Sequence, residues 1–164
     1  MTLKLPPTLA SVEQLEGVMF ELTEYLDWSR QSQIKSQVTP EKPGVEPKAW
    51  SSELQAILES WSEGKELTMH KVEDLMKELQ HTRKTAPSIH LTLAAVPGVA
   101  MRQQFVIWFR DEIHPQVLLS FSANRTILGG MVLRAGSHIY DYSWRKLLLA
   151  KRDILPELVS HVRQ

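Results

Sequence analysis

The sequence predicts an α+β fold, with a helical region over residues 1–86 and a small β-α-β-β-β-α unit over residues 87–164. Three observations carry this. Apolar residues recur at helical spacing through the first half. The period changes to alternation at residues 88–95. Prolines and glycines at 40–47, 64, 97–98 and 136 cut the chain into short elements.

The first helix runs from Leu9 to about Ser36. Val12, Leu15, Met19, Leu22 and Leu26 follow a 3-4-3-4 spacing, a narrow seam suited to another helix, widened by Val18 and Tyr25. At ~1.5 Å per residue it reaches about 40 Å. The stretch VTPEKPGVEP, residues 38–47, cannot continue it. A second helix starts near Pro47, with Trp50, Leu54, Ile57, Leu58 and Trp61 on one face, and stops at Gly64. A third takes Thr68 as N-cap, Leu67 and Val72 as a hydrophobic staple, and Met69, Val72, Leu75, Met76 and Leu79 as its stripe. It ends near Lys84, and Pro87 marks the boundary.

Ile89, Leu91, Leu93 and Ala95 then alternate with His90, Thr92 and Ala94, as in a half-buried strand. After Pro97-Gly98 a helix follows, with Met101, Phe105, Trp108, Phe109 and Ile113 facing one way. QVLLSFS is a second strand, ANRT a turn, LGGMVLRA a third strand and HIYDY a fourth. Gly136-Ser137 suits a two-residue hairpin turn with glycine first. Ser143 caps a last helix, Tyr142 staples onto Leu147, and Pro156 ends or kinks it.

Composition is that of a globular chain, with 43% hydrophobic and 23% charged residues and net charge zero. The absence of cysteine removes disulfides, thiolate ligands and thiol nucleophiles. No apolar run approaches the ~18 residues of a membrane span, and the N-terminus does not read as a signal peptide. Charge is uneven. Residues 1–86 hold 10 Lys/Arg against 14 Asp/Glu, and residues 87–164 hold 9 against 5. Two surfaces of opposite sign suit two different partners.

The residues do not assemble a catalytic set. Gly129 and Gly130 precede strand residues Met131-Val132-Leu133, whereas a phosphate-cradling loop opens a helix. They read instead as a bulge or a close approach of another backbone. No two of the six histidines have i, i+4 ligand spacing. His138, Tyr140 and Tyr142 share a strand face, and Asp141 is a turn or cap residue. An enzyme built on His138, Tyr140 and Asp141 would have no evident substrate. Arg134, Arg145, Lys146, Lys151, Arg152 and Arg163 form a modest basic group beside Trp144. A small nucleic-acid-binding protein is therefore the alternative reading, against which the neutral net charge counts. Trp50, Trp61 and Trp108 fall on apolar stripes and belong to the core. Trp28 and Trp144 lie off them and are candidates for partner contact.

NRTILGGMVLRAGSHIYDYSWRKLL, residues 124–148, resembles the C-terminal domain of the delta subunit of F-type ATP synthase, the oligomycin-sensitivity-conferring protein of mitochondria. That family shows a polar residue, a turn, Leu/Ile-Gly-Gly, an apolar run ending in a basic residue, glycine, a hairpin, Asp-Gly-Ser and an Arg-bearing helix. Asn124, Leu128, Gly129, Gly130, Arg134, Gly136, Asp141, Ser143 and Arg145 match in register without gaps. Asn124 stands where the family usually has Asp, and Tyr142 where it usually has Gly. The resemblance covers residues 88 to about 155. The helical half is shorter than the family's N-terminal helical domain, which receives the tails of the head's alpha subunits.

The resemblance implies a non-catalytic stator subunit without cofactor or metal. It would join the catalytic head, through the alpha subunit, to the b-type helices of the peripheral stalk. Its place would be the cytoplasmic side of the plasma membrane, held through the complex without inserting. Trp144, Arg145, Leu148 and Lys151 are then the candidate stalk contacts, and Trp28 marks the side toward the head.

Overall fold

A computed structural model describes residues 3–38, 50–62 and 68–151. In them the chain forms α1 (Val12–Val38), α2 (Ser52–Ser62), α3 (Met69–Thr85), β1 (Ser88–Leu93), α4 (Val99–Glu112), β2 (Leu118–Ala123), a 3₁₀ turn (Arg125–Ile127), β3 (Gly130–Ala135), β4 (His138–Ser143) and α5 (Trp144–Ala150). This is the predicted α+β order, a helical region followed by a small sheet unit.

The helical half closes on the seams legible in the sequence. Leu15, Val18, Leu22 and Leu26 of α1 meet Leu54, Ile57 and Leu58 of α2 and Val72, Leu75 and Leu79 of α3, all buried. Trp50 packs edge-on against Tyr25, with ring centroids 5.2 Å apart. The Trp61 indole donates to the Lys71 carbonyl at 3.2 Å. Both, expected in the core, instead pack against its margin, partly buried. α1 begins with a capping box not anticipated above. The Ser11 hydroxyl accepts the Gln14 N–H at 3.3 Å, and the Gln14 side chain accepts the N–H groups of Ala10 and Ser11 at 2.8 and 3.1 Å.

Several predicted helix ends move. α2 starts at Ser52 rather than near Pro47, because the Ser51 hydroxyl accepts the Leu54 N–H at 3.3 Å. Thr68 has the extended backbone of a cap, but its side chain caps nothing. Only its carbonyl takes part, accepting the Val72 N–H at 3.2 Å. Pro47, Gly64, Leu67 and Pro156 lie outside the described residues.

The sheet has strand order β2-β1-β3-β4. β1 and β2 run parallel, so the link between them must cross over, and α4 supplies it. β1 with β3, and β3 with β4, are antiparallel. α4 covers one face. There Val106 and Phe109 are buried against Ile89, Leu91 and Leu119, with Leu93, Phe121, Met131 and Leu133 at the margin. Trp108 does not join this core: it is 54% exposed, and Met101 and Ile113 are also more than half exposed. α4 is apolar on more than one side, and the narrow sheet covers only the Val106–Phe109 side.

Two features bind the halves. Leu118 of β2 is buried in the helical core, whereas Ala10 joins the sheet core and its carbonyl accepts the Leu119 N–H at 2.6 Å. The Arg110 guanidinium reaches from α4 to donate to the carbonyls of Leu5, Pro6 and Leu9 at 2.7–2.9 Å. Burial pushes its pKa down to about 10, so it stays charged at neutral pH.

Candidate partner-binding surface

Of the residues that carried the family resemblance, Asn124, Leu128, Gly129, Gly130, Asp141 and Ser143 gather at the start of α5, whereas Arg134 and Gly136 lie at the far end of the β3–β4 hairpin and Arg145 belongs to α5 itself. Asn124 comes first: its side-chain oxygen accepts from the Thr126 N–H and hydroxyl at 3.0 and 2.7 Å, which closes the 3₁₀ turn. Leu128 follows in the left-handed region at φ +62°, the only non-glycine there among the described residues.

The glycine pair then has separate duties. A Cβ at Gly129 would fall 2.6 Å from the Trp144 ring, so glycine makes room for the indole. The Gly129 carbonyl accepts the Trp144 N–H at 3.0 Å. Gly130 sits at φ +74°, and a Cβ there would collide with the Tyr142 carbonyl oxygen. The pair thus marks close approach of another chain segment, one of the two expectations drawn from sequence. Gly136 takes φ +58° in the hairpin turn between Ala135 and His138.

Asp141 and Ser143 start α5. The Asp141 carboxylate accepts the Ser143 N–H at 2.8 Å, and the Ser143 hydroxyl accepts the Lys146 N–H at 3.2 Å. The Ser143 side chain and then its backbone N–H hold the Asp141 carboxyl below its ordinary pKa, helped by Lys146 and Arg145. The expected staple of Tyr142 on Leu147 does not form a buried contact, since both side chains stay mostly exposed. β4 is an edge strand that β3 already pairs on one side, and nothing among the described residues lies over α5 to cover them.

α5 itself buries no residue. Trp144, Leu147, Leu148 and Lys151 fall at i, i+3, i+4 and i+7, one stripe of the helix surface. The three apolar members are 60%, 57% and 44% exposed. Arg145 and Lys146 flank them, whereas Arg152 and Arg163 lie outside the described residues, as does the end of the resembling stretch beyond Lys151. On β4 beside it, Tyr140 and Tyr142 are also open to solvent. A stripe that opens on a tryptophan and continues through two leucines, with flanking cations, has the composition of an interface patch.

Trp28, the other proposed contact, is half-buried and packs on Tyr25 with ring centroids 5.9 Å apart. His138 and Tyr140 share a strand face at 6.5 Å between ring centroids, but Asp141 projects from the opposite face. The three residues of the enzyme reading do not converge. Among the described residues no group of His, Asp or Glu is arranged to hold a metal ion, and no helix is long and apolar enough to cross a membrane.

Sequence reasoning missed Arg110, whose role depends on carbonyls 101–105 positions away. It also missed a polar network on the sheet face away from α4, where His90 bridges Ser120 and Ser122. Period-two alternation of Ser120 and Ser122 was the available signal. No protein-family model matches the chain, and no curated protein matches it at a significant level.

Proposed function

We propose that the chain is a non-catalytic stator subunit of a rotary F-type ATP synthase, on the cytoplasmic side of the plasma membrane. Its second half would hold the b-type stalk helices, and its helical half, on the side of Trp28, would hold the alpha subunit of the head. The work is mechanical: the subunit resists torque on the head so that rotation drives catalysis. One observation supports this above the others. α5 presents an apolar stripe with no buried member, on a support fixed by glycine contacts, caps and a β-hairpin. A joint that transmits torque needs such a rigid mount, because a flexible one would dissipate the strain it should transmit. The resemblance of residues 88–155 to the delta family supplies the identity of the partners.

Affinity isolation of the full chain at native expression level tests the reading. Alpha, beta and stalk chains should co-purify. Trp144→Ala should weaken capture of stalk chains by about 10-fold or more, the usual cost of a central interface tryptophan, while the alpha subunit is retained. Recovery of duplex DNA instead, with retention falling steeply as salt rises, would replace this reading with the nucleic-acid one.

A further inference from the structure

The sheet face not covered by α4 carries a row of polar residues in register. Ser120 of β2 stands opposite His90 of β1, which stands opposite Arg134 of β3. Together with Ser88, Ile89 and Gly136 they line a hollow of about 360 Å³. No carboxylate lines it. Arg134 makes no ion pair among the described residues, and its hydrogen bond to the Gly136 carbonyl is long, at 3.4 Å.

His90 links this hollow to a chain of hydroxyls. Its Nδ1 lies 2.7 Å from the Ser120 hydroxyl and its Nε2 lies 2.8 Å from the Ser122 hydroxyl, which is 3.0 Å from that of Thr92. A neutral imidazole has one donor and one acceptor nitrogen, so the bonds must run in one direction. With the proton on Nδ1, His90 donates to Ser120 and accepts from Ser122, and Ser122 accepts from Thr92. The Ser120 hydrogen is then free to turn toward an acceptor in the hollow. An acceptor bound there would align all four groups, each bond polarising the next. The hollow therefore offers a guanidinium fork, an oriented hydroxyl and the Ser88 hydroxyl at its rim.

We infer that this hollow binds a phosphoryl group, as free phosphate or as the end of a small phosphate ester. Arg134 takes two of its oxygens, Ser120 donates to a third, and Ser88 and Gly136 border the remaining space. The planar Arg fork matches phosphate geometry, and charge-assisted bonds to an unpaired cation are the strong ones. The site is separate from the α5 stripe and does not depend on the stator reading.

NMR titration of the full chain with inorganic phosphate, at ionic strength held constant with chloride, tests it. Saturable shifts are expected at the amides of His90, Ser120 and Arg134, with the His90 ring moving to the Nδ1–H tautomer. R134Q and S120A should each weaken binding by about tenfold, with R134K recovering part of the loss and the other amide signals unchanged. S122A should abolish the tautomer preference. Stalk-chain capture should be unaffected by R134Q. A parallel titration with AMP distinguishes the sources: tighter binding with the same residue dependence assigns a phosphate ester, and equal binding assigns free phosphate. Absence of saturation, indifference to both R134Q and S120A, or equal saturation by acetate would overturn the site.

Discussion

At the scale of single residues, the turn before α5 separates two uses of glycine that sequence alone runs together. Gly130 combines a positive φ with a carbonyl oxygen where a Cβ would sit. Gly130→Ala should cost about 3 kcal/mol, from ~1–2 for the left-handed backbone and ~1–3 for overpacking. Gly136 has the backbone but an open surround, so Gly136→Ala should cost only ~1–2 kcal/mol. Gly129→Ala should cost less than about 1 kcal/mol, because the exposed Trp144 ring can swing aside; its signature is a shifted tryptophan emission and, under the proposed stator role, weaker stalk capture. Leu128 runs the other way. It is exposed and left-handed, so Leu128→Gly should stabilise by roughly 0.5 kcal/mol, the backbone relief slightly exceeding glycine's entropy cost. Urea melts of the four variants check the order, and a Gly130→Ala variant as stable as Gly136→Ala would contradict the steric account. Asp141 adds a pH signature. Its folded pKa lies below the unfolded value, so its contribution is present above the unfolded pKa and is lost as pH falls through the folded one. Carboxyl NMR should find its midpoint below that of an ordinary aspartate, and Asp141→Asn should flatten the acid limb of the local opening of α5.

At the scale of elements, one side chain supplies the polar anchor of the segment before α1. Arg110 satisfies three carbonyls of residues 5–9. Arg110→Met keeps the aliphatic packing and removes every donor, leaving part-buried acceptors unmet at ~1–3 kcal/mol for such a group. The expected result is a stability loss of about 2–4 kcal/mol, with hydrogen exchange rising first at Leu9 and Ala10. Protection unchanged at those amides would show that Leu3, Leu5 and Leu9, all buried, hold the segment without it. The contrast between elements also explains what was legible in the sequence. α1, α2 and α3 each bury one stripe against two neighbours, so the 3.6-residue period named their cores nearly residue for residue. α4 carries Val99, Met101, Phe105, Val106, Ile107, Trp108 and Phe109. With apolar residues on most sides, the period does not say which stripe the sheet covers, and Trp108 was misplaced. α5 has a clear stripe, but whether anything covers it is a property of the surroundings. The His90 network needed the parallel pairing of β1 with β2, and no local pattern encodes which strands become neighbours.

At the scale of the whole molecule, the question is whether the two halves unfold together. Leu118 belongs to a sheet strand yet is buried among the helices, and Ala10 precedes α1 yet is buried against the sheet. Between them run the Ala10–Leu119 backbone bond and the Arg110 clamp. Ion pairs across the helical half, Arg30 with Glu73 and Arg83 with Glu16, are exposed and hold α1 to α3 only; pairs of this kind contribute little. Coupling therefore rests on the shared apolar contacts. Leu118→Ala deletes a buried side chain from the seam, at a cost of about 2–5 kcal/mol. If the halves form one cooperative unit, native-state hydrogen exchange should show the same loss at α3 amides such as Leu75 and Leu79 and at β1 amides such as Ile89 and Leu91. Leu91→Ala, confined to the sheet core, should also lower protection in α3. Loss restricted to β1 in that second variant would mean two independent units. The proposed stator role requires force to pass between head and stalk through this seam, so independent unfolding would also count against that proposal.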